Sequence, residues 1–417
     1  MNATAVRDGI FRLSANGGPE ILFESMWPLP HGVSMNSYIV KGARCAIIDG
    51  VCGWDGVPET LLAQFASLAI EAKDIDYVVM NHLEPDHTGW LEAFRRLRGD
   101  FTLVASEKGL ELARALYGFA GKTLAVRSGS RIELGGGKEL VFEEIPNVHW
   151  PETIATYERS SGTLFPCDAF GSFGAVAEAP YDDQLDEARL EFYEAEALRY
   201  YANILATFSA SVGKAIDKLE RLEIRVLAPG HGLVWRKDPR RILELYRRFV
   251  SYARGPAEAE VTVLWGSMYG NTEAAVRAVI AGIEAAGGRT NVFRVPQDHI
   301  SFVLASAWRS SGIVIAAPTY EYRMFPPMAT ALEELGRKRV VRKKAFHLGS
   351  FGWSGGAHKE MEEIQERWRM AWDFLAPVEF KGTPTPEDLR LLEQRGRELA
   401  EAVKHYAAGV PEAQAAS

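Results

Sequence analysis

Short apolar runs and longer stretches with helical spacing share the first half of the chain. The runs Arg44–Asp49, Ile75–Met80, Phe101–Ala105, Leu140–Ile145, Gly162–Pro166 and Ile224–Ala228 predict strands. The stretches Pro58–Ile70, Leu91–Arg98, Gly109–Tyr117 and Asp186–Phe208 predict helices. Strands that feed helices without strict alternation point to an α/β sandwich rather than a doubly wound sheet. After helical spacing in Arg240–Tyr252, the segment Ala253–Glu260 is rich in Gly, Pro, Ala and Glu and reads as a linker.

Beyond the linker the pattern becomes regular. Strands are expected at Val261–Trp265, Thr290–Val295, Gly312–Ala316, Ala345–Leu348 and Val378–Phe380. Between and after them, helices are expected at Glu273–Ala286, His299–Arg309, Met328–Arg337, His358–Phe374 and Glu387–Tyr406. Repeated strand–loop–helix units of this kind build a parallel doubly wound sheet. The expected organisation is a first domain over residues 1–254, a second over 255–406 and a flexible tail over 407–417.

Composition narrows the function class. The 417 residues are 47% hydrophobic and 24% charged, as in ordinary globular proteins. A net charge of −8 argues against a nucleic-acid groove, which needs clustered Lys and Arg. No apolar run approaches the roughly 20 residues that span a bilayer, and Met1–Asp8 lacks a signal-peptide pattern. A cytoplasmic protein without a membrane partner is expected. Cys45, Cys52 and Cys167 are too few for a disulfide framework or a four-cysteine iron centre. An electron carrier of that type must be a separate protein.

The run Asn81-His82-Leu83-Glu84-Pro85-Asp86-His87 follows the apolar strand Ile75–Met80 and places four potential metal ligands within six residues. Pro85 prevents a regular helix through the run, so a turn is expected to present them. Imidazole with carboxylate suits iron, zinc or manganese. His149, Asp168 and His231 sit at further strand ends or turns. Taken singly such residues are ordinarily capping or surface groups. Together with the run they make four His and three carboxylates, enough to hold two metals with one carboxylate bridging. The glycines flanking His231 allow close backbone approach.

This motif resembles that of the metallo-β-lactamase fold, whose common pattern is His-x-His-x-Asp-His. Here the second His is Glu84. An anionic, harder ligand suits iron over zinc and weakens the case for zinc hydrolysis. His-x-Glu-x-Asp-His on this fold resembles the flavodiiron family. The second half bears on the same likeness. Val261–Trp265 leads into Gly266-Ser267-Met268-Tyr269-Gly270-Asn271-Thr272, where backbone N–H groups at a helix start can take a phosphate. The loop has neither the Walker ending nor Gly-x-Gly-x-x-Gly. It is similar to the flavodoxin phosphate loop. Two further loops are similar to flavodoxin ring-binding loops: one with Pro318, Thr319, Tyr320, Glu321 and Tyr322, the other with Ser350, Phe351, Gly352, Trp353 and Gly355. One phosphate loop implies FMN rather than FAD.

The resemblance covers about residues 5–405. It implies a metallo-β-lactamase-like αββα sandwich followed by a flavodoxin-like domain, FMN and two iron ions, and reduction of O2 to water or NO to N2O, with O2 slightly favoured. Carried over, His82, Glu84 and His149 would bind one iron, and Asp86, His87 and His231 the other, with Asp168 bridging. One motif histidine is not always coordinated in that family, which singles out His87. The resemblance also places the turn of His31 near the pair; adjacent helix residues point about 100° apart, so one of Tyr200 and Tyr201 is expected to face the same pocket, either group serving as a proton or hydrogen-bond donor, with Trp150, Phe170 and Phe173 expected in the apolar wall or core. It implies a head-to-tail homodimer, or a dimer of dimers, and a separate electron donor: rubredoxin first, a reduced deazaflavin second. The competing readings are a zinc hydrolase with an appended flavodoxin domain and a non-enzymatic flavin electron carrier.

Overall fold

Buried polar side chains hide the first strands from a hydrophobic-pattern reading. In the computed structural model, which describes residues 3–51, 57–176 and 179–409, three strands of the first sheet precede the first expected one, and the short pair Leu22–Phe23 and Trp27–Pro28 lies between them in sequence. The three are Thr4–Arg7, Ile10–Gly17 and Val33–Lys41. The second buries Arg12 and Ser14, and the third buries Ser34, Asn36 and Ser37. Neither alternates cleanly, because both faces are covered. Cys52 and the end of the expected tail lie outside the described residues.

The chain falls into two compact units, Met1–Arg247 and Arg248–Ser417. In the first, the three early strands run antiparallel and continue through Cys45–Ile48 into the parallel strands Ile75–Val79, Thr102–Ala105 and Lys122–Ala125. A second sheet orders Arg131–Gly135, Lys138–Glu144, Ile154–Glu158, Thr163–Phe165 and Val226–Leu227. Its first four strands are antiparallel and its last pair parallel. Lys122–Ala125, Arg131–Gly135 and Ile154–Glu158 also escaped the sequence reading. Lys122–Ala125 is exposed throughout, and Ile154–Glu158 is buried throughout.

One core joins the sheets. Val40, Ile48, Val79 and Val104 on one side meet Leu140, Phe142, Ile154 and Phe165 on the other. Each such side chain contributes roughly 1.5–3 kcal/mol by burial. With helices on its outer faces the unit is an αββα sandwich. Of these helices, Glu107–Tyr117 is capped by Ser106 Oγ, which accepts from Gly109 N at 3.1 Å.

The expected helix Asp186–Phe208 is a regular helix only over Glu187–Tyr200. A π-turn at Tyr201–Leu205 and a tight turn at Ala206–Phe208 follow, and then an unexpected helix, Ser209–Leu219.

In the second unit the strand order is Arg289–Arg294, Glu258–Trp265, Ser310–Tyr320, Lys344–Phe351 and Asp373–Phe374, all parallel. Val378–Lys381 also pairs with Lys344–Phe351. This is the flavodoxin-like order. The expected helix His358–Phe374 stops at Trp368, because Arg369 turns left-handed at φ 51°, and Asp373–Phe374 joins the sheet instead. Among the described residues, no helix is long and apolar enough to cross a membrane.

Candidate metal and flavin sites

The ligand run leaves its strand in a fixed direction. Asn81 donates from its backbone N to Asp49 Oδ1 at 2.7 Å and from Nδ2 to Asp49 Oδ2 at 2.8 Å. Its own Oδ1 accepts from Thr156 Oγ1 at 2.6 Å. The expected non-helical turn is one turn of helix, Pro85–Thr88, with Glu84 at its N-cap. Pro85 starts it at the first position, where no N–H is needed. His82 and Glu84 precede the turn, and Asp86 and His87 lie on it. His149 and Asp168 enter from loops after strands. His231 enters between two glycines that have no room for side chains: a Cβ at Gly232 would lie 2.0 Å from Ser172 Oγ, and one at Gly230 2.9 Å from His87 Cε1.

All seven candidate ligands converge in two groups that share Asp168. On one side, Asp168 Oδ2 lies 3.3 Å from His82 Nε2 and 3.2 Å from His149 Nε2. Glu84 Oε2 lies 3.2 and 2.9 Å from the same two nitrogens. On the other side, Asp168 Oδ1 lies 2.9 Å from His87 Nε2 and 3.1 Å from His231 Nε2. Asp86 Oδ2 completes that group at 3.6 and 3.5 Å. Donor atoms about 2.1 Å from a shared divalent ion lie roughly 3.0–3.4 Å from one another in octahedral or tetrahedral geometry. The observed spacings, from 2.9 to 3.6 Å, bracket that range. His231 Nε2 and Asp86 Oδ1 are buried without a hydrogen-bond partner, as atoms of a ligand set are when it is described by protein alone. His87, the doubtful ligand, is aimed into the second group like the others.

The protonation balance points the same way. Burial pushes the four imidazoles toward neutrality, but the facing carboxylates overcome it. His82 is held up to about 10 by Glu152, Glu84 and Asp168, and His231 to about 10 by Asp168 and Asp86. His87 and His149 rise to about 9 for the same reason. Buried carboxylates therefore demand compensating positive charge, which either protons or two dications supply.

Two supporting residues, Glu152 and Phe23, were not foreseen, whereas Trp150, Phe170 and Phe173 were expected in the surrounding wall or core. Glu152 Oε1 lies 2.8 Å from His82 Nδ1 and accepts from Leu83 N at 3.0 Å. Its only sequence signal is a carboxylate three residues after His149. Phe23, on the short strand Leu22–Phe23, sets its ring 5.2 Å from His231 and 5.4 Å from Phe173. Trp150 stands 5.0 Å from His82. Phe170 is buried 5.1 Å from Tyr246.

The two tyrosines separate. Tyr200 has its ring 5.7 Å from His231 and a buried hydroxyl without a partner. Burial and the Asp168 charge push its pKa up, so it stays protonated. Tyr201 instead donates to Ser209 Oγ at 2.7 Å. His31 is exposed, packs edge-on against Phe192 at 5.1 Å, and belongs to neither ligand group.

In the second unit, three loops at the carboxyl ends of parallel strands line one cleft of about 360 Å³. Ser267, Met268, Tyr269, Asn271 and Thr272 come from the first loop. Pro318, Thr319, Tyr320 and Glu321 come from the second, and Ser350, Phe351, Gly352 and Trp353 from the third. Gly382 adds a wall the sequence reading missed, whereas Gly270, Tyr322 and Gly355 do not line the cleft. Gly270 starts the helix Asn271–Ala285 at φ 95°, a backbone conformation that favours glycine. Tyr269 and Trp353 are 91% and 76% exposed, large rings free to cover a flat ligand.

Known proteins are similar to this chain in sequence and fold. Residues 33–232 match the ODP family beta lactamase. A nitric oxide reductase of Moorella thermoacetica is 30% identical over 400 residues, 95% of this chain and 98% of that one. An anaerobic nitric oxide reductase flavorubredoxin of Vibrio vulnificus is 31% identical, over 90% of this chain and 74% of its own length. The flavodiiron protein of Giardia intestinalis superposes with a TM-score of 0.91 at 27% identity, covering 99% of each chain. A rubredoxin oxygen:oxidoreductase from Desulfovibrio gigas superposes at 0.89 and 25%, covering 98% of this chain and 100% of that one. With such similarity running through both units, the chain belongs to the flavodiiron protein family.

Proposed function

We propose that this chain is a reductase of NO or O2, with a diiron centre on its first domain, residues 1–254, and FMN on its second, residues 255–406. The observation that carries the reading is Asp168, whose two oxygens each serve one group of candidate ligands. His82, Glu84 and His149 would hold one iron, and Asp86, His87 and His231 the other. The iron pair and FMN supply the electrons and the place where a diatomic gas is reduced. The protein's own residues do the rest. Glu152 fixes the His82 ring and raises its basicity. Phe23 and Phe173 form an apolar wall that admits a small uncharged gas and excludes water. Tyr200 keeps a free O–H beside His231 and serves as hydrogen-bond donor in preference to Tyr201 or His31.

The cleft lined by Ser267, Thr272, Thr319 and Trp353 would take FMN, its phosphate at the start of the helix Asn271–Ala285. Electrons would come from a separate donor, a rubredoxin or a reduced deazaflavin. The exposed rings of Tyr269, Tyr322 and Trp353 support a covered face, consistent with a head-to-tail dimer. A zinc hydrolase is disfavoured by Glu84, whose anionic oxygen suits iron.

The test loads the protein with iron and FMN, reduces it anaerobically and supplies NO or O2. Consumption of either gas, with N2O formed or with no peroxide released, is expected. Two bound zinc ions, or full iron and FMN loading with neither gas consumed, would overturn the reading.

A further inference from the structure

A buried arginine in the first unit faces no carboxylate. Arg12 lies on the strand Ile10–Gly17 and is 2% exposed. Among the described residues, the ionisable groups facing it are the phenols of Tyr38, Tyr181 and Tyr193. Its Nη2 has no partner. A guanidinium so placed costs stability, and what it achieves lies in the one bond its Nε makes, to Asn36 Oδ1 at 2.8 Å.

That bond decides which way the Asn36 amide points. Arginine only donates, so the Asn36 oxygen must face Arg12 and the nitrogen must face away. Asn36 Nδ2 then donates to Pro229 O and to Gly232 O, both at 3.0 Å. The backbone N of Asn36 donates to Gly230 O at 2.7 Å. Three bonds from one residue thus clamp the Pro229–Gly232 loop on both sides of His231. Two neighbours on the same strand, Val33–Lys41, finish the job. Ser34 O lies 3.2 Å from His231 Nδ1, and Tyr38 OH donates to Pro229 O at 2.7 Å. A carbonyl only accepts, so Nδ1 carries a hydrogen and the neutral ring keeps its Nε2 lone pair for a metal.

We propose that Arg12 and Asn36 are positioning residues for His231: Arg12 locks the Asn36 amide, and Asn36 holds the glycine-flanked loop so that His231 Nε2 meets Asp168 and Asp86. This rests on the diiron reading above. It predicts an asymmetric failure, because His82, Glu84 and His149 hang from other elements. Losing the latch weakens the second iron and spares the first.

The experiment measures iron and FMN per chain, and the two iron affinities by chelator competition, in the full-length protein. Asn36→Asp is nearly isosteric and keeps the Arg12 contact, but it replaces Nδ2 and its two N–H donors by one oxygen that faces both carbonyls. It is expected to bind one iron normally and the other about 10–100-fold more weakly, with FMN still one per chain. Arg12→Met is expected to fail in the same direction. Tyr181→Phe removes the hydroxyl bond to Thr4 Oγ1 beside Arg12 without touching the latch, and is expected to keep both irons. Wild-type affinity for both irons in Asn36→Asp, or equal weakening of both, would overturn the proposal. A wild-type protein that binds no iron pair would instead sink the diiron reading itself.

Discussion

Replacing Glu152 by Gln tests whether the carboxylate behind His82 tunes a metal ligand or merely fills space. One oxygen of Glu152 serves both His82 Nδ1, at 2.8 Å, and Leu83 N, at 3.0 Å. The other oxygen is buried without a partner. Glutamine keeps an acceptor in place but removes the charge. Hydrogen bonds to a charged group contribute roughly 1.5–3 kcal/mol and neutral ones about 1, so weakening two of them costs roughly 1–4 kcal/mol. The new amide N–H groups enter the place of the unpartnered oxygen, at a further cost of about 1–3 kcal/mol. The sum, roughly 2–7 kcal/mol, falls on the folded protein. The part felt by His82 as a less basic ligand is a loss of about 10–100-fold in iron affinity. Thermal unfolding of metal-free and iron-loaded protein separates the two, and chelator competition gives the affinity. A destabilised variant that still binds both irons with wild-type affinity would refute the reasoning.

Other outcomes follow from the same geometry. Tyr200→Phe should leave stability unchanged or improved, since its hydroxyl is unpaired, yet slow gas consumption. Tyr201→Phe should lose about 1 kcal/mol with its Ser209 bond and leave turnover intact; unfolding curves and gas electrodes read both. The metal-free protein should lose stability as pH rises. Its four ligand histidines are raised above their ordinary value near 6.5, so proton binding stabilises the fold fully below about that pH. That contribution disappears as pH climbs through about 9 to 10. Iron should abolish this decline, and a pH series of melting temperatures with and without iron checks it. Trp353→Ala should weaken FMN binding, read by flavin fluorescence, without lowering the melting temperature, because the ring is largely exposed.

The chemistry of the site was legible where ligands crowd a short run. His82, Glu84, Asp86 and His87 fall within six residues, and the three loops that line the cleft of the second unit follow strands of clear apolar pattern. His149, Asp168 and His231 stand alone in sequence; the crowded run made them candidates, and the family resemblance divided them between the two irons. What stayed hidden was the buried polar support. Arg12, Ser14, Asn36 and Ser37 break the alternation of Ile10–Gly17 and Val33–Lys41, so those strands were not recognised. Part of that polarity, at Arg12 and Asn36, fixes the loop of His231. Asp49 and Asn81 do the same for the run itself, and Glu152 for His82. Helical spacing also concealed the π-turn at Tyr201–Leu205, because a single inserted residue barely disturbs an apolar stripe. The π-turn begins at Tyr201, turned toward Ser209, directly after Tyr200 beside His231.

The central claim is that the two irons and the flavin this protein would hold act together on a diatomic gas. A single-turnover titration tests it most directly. Fully reduced protein, with iron and FMN loading verified, is mixed anaerobically with known amounts of O2 or NO while the flavin spectrum is followed. The account predicts that about four electrons per chain are spent, two from each cofactor, on one O2 without peroxide or on four NO with N2O formed. Flavin that stays reduced, or peroxide released in proportion to the O2 consumed, would contradict it.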